Sequence, residues 1–140
     1  MSELLIDGKK LVEFESAAKI ANFYLKKTGV ALNFLGYKDF FEKYFDVKES
    51  DIESVYELTK ESIMWSNYLS ELNSLVNVCF FNKLIKQENS PNEKLEKEIN
   101  IVKLFKKHLE IQVRYCNLIH SETLKLYKEN MLKVAFRSSL

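Results

Sequence analysis

The sequence is poor in glycine and proline. Its 140 residues contain three glycines and one proline, and no glycine follows Gly36. Because these two residue types mark most turns and helix ends, the stretch from 50 to 140 has few places where the chain can reverse direction. Only the cluster Asn89-Ser90-Pro91-Asn92 interrupts it. The sequence therefore predicts an all-α protein dominated by a long antiparallel helical hairpin.

The chain is also poor in cysteine and carries almost no net charge. Cys79 and Cys116 occur singly, without the paired spacing of a zinc site, and are interpreted as reduced core residues. The net charge of +1 gives no overall attraction to nucleic acid or to an anionic membrane. No apolar run reaches the ~20 residues of a membrane span, and no secretory leader is visible. We expect a cytoplasmic protein that needs no metal or cofactor and contacts no membrane.

We expect one helical domain over residues 1–140, built from a region of short helices at 1–49 and long helices at 50–89 and 90–137. Residues 48–90 carry 4 lysines against 7 acids, a net charge of −3, and residues 91–140 carry 10 basic residues against 6 acids, a net charge of +4. Opposite signs favour pairing of the two long segments with each other.

The first 49 residues are expected to hold two short helices. The stretch 16–28 has one apolar side, Ser16 can cap its start, and Gly29 can end it. An apolar segment at 30–36 is interpreted as a buried connector. The stretch 37–45 contains four further aromatic residues and is predicted to be a second helix that packs against the long ones: Phe40, Phe41, Tyr44 and Phe45.

The N-terminus allows two interpretations. Asp7-Gly8 stands between short apolar runs, which is typical of a two-residue hairpin turn, so a small β-hairpin over residues 4–12 is one prediction. A helical N-terminus is the alternative, because an isolated hairpin is only marginally stable in water.

Two capping signals predict where the long helices start. Ser50-Asp51-Ile52-Glu53 has the pattern of a capping box with Ser50 as the cap. Ser90-Pro91-Asn92-Glu93 repeats the pattern, with Ser90 as the cap and Pro91 at the first helical position. Helix is expected from each signal onward.

Both long segments carry more apolar surface than a single seam needs. A seam with alternating spacings of three and four runs along the first: Val55, Leu58, Ser62, Trp65, Leu69, Leu72, Val76 and Cys79. The corresponding face of the second segment holds Leu95, Ile99, Val102, Leu109, Val113, Cys116, Leu124, Tyr127, Met131 and Val134.

A further apolar series lies on each long segment. On the first it comprises Ile63, Met64, Tyr68, Leu75, Val78, Phe81 and Ile85, and on the second Leu104, Ile111, Tyr115, Leu118 and Leu126. A helix that is apolar on two sides lies inside a bundle or between subunits. We therefore expect a homodimer with a core like a four-helix bundle. A monomeric bundle with an extra break near Asn73-Ser74 or Asn77 is the alternative.

One spacing suggests chemistry. The segment Arg114-Tyr-Cys-Asn-Leu-Ile-His120 is similar to the active-site motif of the all-helical HEPN ribonucleases. The resemblance implies that His120 acts as acid or base in RNA cleavage and that Arg114 steadies the phosphate. It departs from the family at Tyr115, where members often have Asn, and at Glu122, where some have Tyr. We favour the alternative, in which His120 is a half-buried core or interface residue with Arg114 at the rim.

A basic stripe near the C-terminus suggests nucleic acid as another partner. It comprises Lys125, Lys128, Lys133 and Arg137, with Lys103, Lys106 and Lys107 further up. Phosphate binding needs clustered cations, but lysines late in a helix also stabilise its negative end. A DNA-binding regulator is therefore an alternative, and a solvated face is the favoured interpretation.

These features favour a non-enzymatic protein–protein interaction module, a small regulator, adaptor or inhibitor that works as a homodimer and binds another protein. No residue is assigned a catalytic role outside the ribonuclease alternative. The small size, and the abundance of Lys, Asn, Ile, Phe and Tyr that is expected from an AT-rich genome, are typical of a bacterial or phage accessory protein. The residues predicted to form the interface are mostly aromatic, because aromatic side chains anchor interfaces: Trp65, Tyr68, Phe80, Phe81, Tyr115 and Leu118.

Overall fold

The protein is helical throughout the part that the structure, a computed structural model, describes, namely residues 6–25 and 34–139. These residues form four α-helices, one turn of 3-10 helix at Val47–Glu49, and no strand. The α-helices are α1 (Gly8–Leu25), α2 (Phe34–Phe45), α3 (Ile52–Asn89) and α4 (Glu93–Ser139). The all-α prediction is confirmed.

The predicted β-hairpin at the N-terminus is wrong, and the helical alternative holds. The Oδ1 atom of Asp7 accepts a hydrogen bond from the backbone N–H of Lys9 at 2.9 Å, and the Asp7 carbonyl accepts one from Lys10 at 3.0 Å. Asp7 thus caps α1, and the Asp-Gly pair begins a helix instead of a turn. Ser16 therefore lies inside α1 and does not start it, and Gly29 lies outside the described residues.

The prediction of a buried connector at 30–36 is also wrong over 34–36, the part of it that the structure describes. Its first four residues lie outside the described part of the chain, and the rest belong to α2, which starts three residues before Tyr37. Leu35 is 83% exposed, so this part of the segment is not buried.

Each long helix starts slightly later than the capping box predicts. Asp51, not Ser50, caps α3, because its Oδ1 accepts the N–H of Ser54 at 2.7 Å and its carbonyl accepts the N–H of Val55 at 3.1 Å. The Ser50 hydroxyl donates instead to the carbonyl of Asp46 at 3.3 Å. The acceptor on Asp51 is one residue nearer to the helix and takes over the cap.

The start of α4 is shifted by two residues. Asn92 Oδ1 accepts the N–H of Lys94 at 2.8 Å, and the Asn92 carbonyl accepts the N–H of Glu96 at 3.0 Å. Asn92 is therefore the cap, and Pro91 precedes the helix instead of opening it. The Ser90 N–H closes α3 by donating to the carbonyl of Lys86 at 2.9 Å.

The chain divides into two compact units, and each takes one part of α3 and one part of α4. Unit 1 comprises Met1–Leu32 and Tyr68–Val113, and unit 2 comprises Asn33–Asn67 and Arg114–Leu140. The single domain expected over residues 1–140 stays a prediction. No helix in the described part of the chain has both the length and the apolar character that crossing a bilayer requires.

In unit 1, α1 packs against α4, and α3 pairs with α4 in antiparallel orientation. The ring of Phe14 stacks on that of Phe105 with centroids 5.8 Å apart, and both side chains are buried. The ammonium of Lys83 lies 2.9 Å from the carboxylate of Glu98, and both side chains are largely covered. This ion pair joins the end of α3 to the start of α4.

In unit 2, α2 supplies an aromatic cluster that lies against α3 and α4. The ring of Tyr37 lies 5.1 Å from Trp65, and the ring of Phe41 lies 6.4 Å from Tyr115. Phe40 and Phe41 are fully buried, as expected of the aromatic segment, whereas Phe45 is 54% exposed.

Three contacts fix the orientation of α3 and α4 in unit 2. Tyr56 packs on Tyr127, Ser62 meets His120, and Ser66 donates to Asn117. Positions later in α3 meet positions earlier in α4, so the two helix parts run antiparallel. Within each unit, α3 and α4 therefore pair in the antiparallel sense that the predicted hairpin requires.

The predicted seam of α3 is buried from Val55 to Val76, and Cys79 is half-buried. Because α3 is continuous from Ile52 to Asn89, the break that defined the monomeric alternative does not occur. The predicted face of α4 is less complete. Its last two members, Met131 and Val134, are 46% and 50% exposed.

Candidate functional site

The most distinctive surface of unit 1 is the side of α3 that points away from its buried seam. At about 100° per residue, this side collects the further apolar series of the sequence. We call it the outer face of α3, and its members in unit 1 are exposed to 36%, 51%, 61%, 62% and 43%, respectively: Tyr68, Leu75, Val78, Phe81 and Ile85. Unit 2 exposes the two remaining members, Ile63 and Met64, to 46% and 54%.

The outer face of α3 is also nearly free of charge. Between Ser62 and Asn82 the only charged residue is Glu71. The solvated side of an amphipathic helix is normally lined with charged and polar residues. The sequence contains this signal, but apolar periodicity alone does not reveal it. It becomes meaningful once the structure shows which side of α3 lies in the core.

Of the predicted interface residues in unit 2, none is strongly exposed. Trp65 and Tyr115 are buried, with 8% and 3% of their surfaces exposed, and Leu118 is half-buried. Trp65 and Tyr115 belong to the aromatic cluster beneath α2. They serve the core of the unit.

In unit 1 the three predicted residues differ from one another. Phe80 is half-buried, and the Lys106 ammonium lies 4.4 Å from the centre of its ring, within cation–π range. Tyr68 and Phe81 both lie on the outer face of α3. The structure thus adds Leu75, Val78 and Ile85 to these two on the outer face of α3.

His120 is half-buried and forms a polar layer with Ser62 and Thr59 between α3 and α4 in unit 2. Its Nδ1 atom lies 3.3 Å from the hydroxyl of Ser62, which donates its own hydrogen to the carbonyl of Thr59 at 2.6 Å. The Ser62 oxygen can therefore only accept a hydrogen bond from the ring. In the neutral imidazole, Nδ1 then carries the proton and Nε2 is unprotonated. The imidazole is held as a structural donor.

Arg114 and His120 do not converge. Six residues along an α-helix rotate the side-chain direction by about 240°, so the two side chains leave α4 on different sides. Arg114 is exposed, whereas His120 is half-buried. Glu122 accepts a hydrogen bond from the hydroxyl of Tyr44, and burial together with this bond raises the pKa of Tyr44. Arg114 and His120 are therefore not gathered around a common point.

Cys116 is placed for packing instead of reactivity. Its Sγ lies 3.5 Å from the hydroxyl of Tyr37, and both residues are fully buried. Burial raises the pKa of Cys116 to about 12, so the thiol stays protonated at neutral pH. Burial likewise raises the pKa of Tyr37.

The basic stripe is solvated. Lys125, Lys128, Lys133 and Arg137 are all exposed along the part of α4 in unit 2. The upstream lysines at 103, 106 and 107 belong to unit 1, where Lys106 is engaged over Phe80. The seven predicted basic residues thus form two groups, four in unit 2 and three in unit 1.

An acidic cleft of about 580 Å³ lies between α2 and the start of α3 in unit 2. Seven carboxylates and one lysine are among its lining residues: Asp39, Glu42, Asp46, Asp51, Glu53, Glu57, Glu61 and Lys43. The Lys43 ammonium lies 3.3 Å from Glu61 and 3.4 Å from Asp39, and these carboxylates raise its pKa. Within the described ranges, no group of three or more His, Cys, Asp or Glu side chains is arranged to hold a metal ion.

Comparison of the chain with protein-family models, with curated proteins and with solved structures finds no match. The surfaces of the two units are therefore the basis for assigning a function.

Proposed function

We propose that this chain is a non-enzymatic protein–protein interaction module of the cytoplasm, a small regulator, adaptor or inhibitor of bacterial or phage origin that works as a dimer. It binds through the outer face of α3. The observation that carries this proposal is that the 21 positions from Ser62 to Asn82 of α3 hold four of these five exposed apolar side chains and a single charged residue, Glu71. Exposed apolar patches bounded by polar residues mark interaction sites.

The outer face of α3 is large enough for its burial to contribute substantially to the free energy of binding. Full burial of a Val, Leu, Ile or Phe side chain stabilises a complex by about 1.5–3 kcal/mol. Leu75, Val78, Phe81 and Ile85 are each about half exposed, so covering them contributes on the order of 1 kcal/mol apiece before the cost of association is subtracted.

The polar residues of unit 2 support this assignment over catalysis. The imidazole of His120 donates to Ser62, and the Arg114 guanidinium leaves α4 on another side. Acid–base cleavage of RNA needs its groups within hydrogen-bond reach of one reacting site. The arrangement therefore favours a structural role for His120 at the α3–α4 contact.

A comparison of three baits tests the proposal. Wild-type chain, Val78→Glu and the matched control Leu104→Glu are immobilised and exposed to extract of the native host. Leu104 lies on α4 of unit 1 and is 52% exposed, close to the 61% of Val78. We expect the wild type and Leu104→Glu to retain a protein that Val78→Glu loses, and the purified protein to reproduce this order in calorimetric titration.

Far-UV circular dichroism of the three baits checks that each is folded. Retention of the same proteins by all three folded baits contradicts the proposal. A bound nucleic acid in place of a protein, released as salt is raised, would point to the DNA-binding alternative.

A further inference from the structure

We infer that the outer face of α3 is covered by the same face of a second copy of this chain, with the two α3 helices antiparallel and a twofold axis between Leu75 and Val78. This rests on the proposed function and identifies the protein that covers the proposed surface as a second copy of the chain, which any other protein binding there would have to displace. The contact involves only the part of α3 in unit 1.

The centre of the face forms a regular seam. Six exposed positions follow one another at alternating spacings of three and four, the pattern by which two helices interlock side chains. We call them the outer seam: Tyr68, Glu71, Leu75, Val78, Asn82 and Ile85. Two of the six are polar, and they stand symmetrically around the apolar pair Leu75 and Val78. Phe81 lies beside this line.

Antiparallel pairing places apolar residues opposite apolar ones, and polar residues opposite polar ones, along the outer seam. With the twofold axis between Leu75 and Val78, Leu75 faces Val78 of the second copy, Glu71 faces Asn82, and Tyr68 faces Ile85. The carboxylate of Glu71 can then accept a hydrogen bond from the amide of Asn82, and symmetry repeats the contact. Hydrogen bonds to a charged group are stronger than neutral ones.

Parallel pairing is disfavoured by the same residues. In-register parallel helices place each residue opposite its own copy, so the two Glu71 carboxylates would meet across the seam. Like charges at a contact oppose association. In the described part of the chain, the side chains of Glu71 and Asn82 form no ion pair or hydrogen bond within the subunit. Both groups are available for the second copy.

The area of the face agrees with a dimer. A half-exposed Leu, Val, Ile or Phe side chain presents on the order of 100 Å². The exposed apolar members of unit 1, together with Glu71, Asn82 and the small polar residues beside them, approach the ~800 Å² that each partner buries in a standard interface. A second copy offers a surface of matching length and composition without any further component.

Sedimentation equilibrium of the purified full chain at micromolar concentration gives the first test. We expect a dimer for the wild type and for Leu104→Glu, and a dissociation constant raised about tenfold or more for Val78→Glu, because a central apolar contact becomes a buried charge. A wild-type monomer at every concentration overturns the inference. So does a dimer that Val78→Glu leaves intact while circular dichroism shows native helix.

Cross-linking tests the orientation of the helices. Val78→Cys and Ile85→Cys are each made in a Cys79→Ser background and treated with a short bismaleimide; Cys116 is buried. In the antiparallel dimer the two copies of position 78 lie three residues apart along the axis, about 4.5 Å, and those of position 85 lie 17 residues apart, about 25 Å. We expect linkage at 78 and not at 85.

Equal linkage at both positions indicates parallel helices and overturns the inference. A monomer that still captures a protein partner in a Val78-dependent way refutes only the second copy as occupant. A chain whose dimer and partner binding both ignore Val78→Glu refutes the proposed function as well.

Discussion

The hydroxyl oxygen of Ser62 lies 3.3 Å from Nδ1 of His120, and this contact joins α3 to α4 inside unit 2. Ser62 is completely buried, as are Val55 and Leu69 along the same seam. A buried hydroxyl is tolerated there because it both donates, to the Thr59 carbonyl, and accepts. The only polar residue in the apolar series therefore makes a specific contact between the two helices.

Replacing Ser62 tests this contact. We expect Ser62→Leu, which would complete the apolar pattern, to lower the free energy of unfolding by about 1–3 kcal/mol, because the larger side chain has no room and displaces the imidazole. Ser62→Ala is the matched control and should cost about 1 kcal/mol or less. Urea unfolding measures both. A more stable Ser62→Leu would show that the polar layer contributes nothing.

The aromatic cluster of unit 2 gives a second prediction. Phe40 is fully buried and its ring lies 6.4 Å from that of Trp65. We expect Phe40→Ala to cost about 3–5 kcal/mol through lost burial and the cavity that it leaves. Phe45→Ala, on the same helix but 54% exposed, should change stability by less than about 1 kcal/mol.

Denaturant unfolding followed by the fluorescence of Trp65, the single tryptophan, measures this difference. Equal losses for the two alanine variants would contradict the placement of α2 against α3.

The two thiols should differ in reactivity. Cys116 is buried and its pKa is raised to about 12, whereas Cys79 is half-buried. Because the thiolate is the reacting form, we expect Cys79 to be modified by an aromatic disulfide reagent much faster than Cys116 in the native protein. Single-thiol variants, Cys116→Ser and Cys79→Ser, separate the two rates. In denaturant the rates should converge, and fast native labelling of Cys116 would contradict the packing of Tyr37 upon it.

His108 predicts a loss of stability at acid pH. Burial lowers its pKa, and the nearby Lys10 and Lys107 add to this effect, while Glu13 opposes it. Between the folded pKa and the unfolded value near 6.5, the unfolded chain binds more protons. The free energy of unfolding therefore falls as the pH drops below about 6.5 and stops falling, for this group, below the folded pKa.

His108→Gln removes that contribution. From about pH 7.5 to about pH 5.5, we expect the variant to lose less stability than the wild type in chemical denaturation, and the two curves to run parallel above pH 7.5 or so. An identical decline in both proteins would show that other groups account for the acid effect.

Local patterns predicted much of the fold. The scarcity of glycine and proline and the spacing from Val55 to Val76 correctly indicated a continuous α3 with a buried seam. Capping signals located both long helices to within two residues, because Ser, Asp and Asn compete for the same backbone donors when they stand side by side. Asp7-Gly8 misled for a related reason: an aspartate before a glycine suits a hairpin turn and a helix cap equally well.

The sequence by itself determined which residues share a side of each helix and, to within two residues, where the two long helices begin, since both depend on neighbours a few positions apart. Only the tertiary structure decided which side is covered. Trp65 and Phe81 have equal claims as interface anchors in the sequence, yet α2 buries Trp65 while Phe81 stays 62% exposed. Burial depends on which other element packs against a helix, and such contacts join residues far apart in the chain, as Ser62 and His120 are.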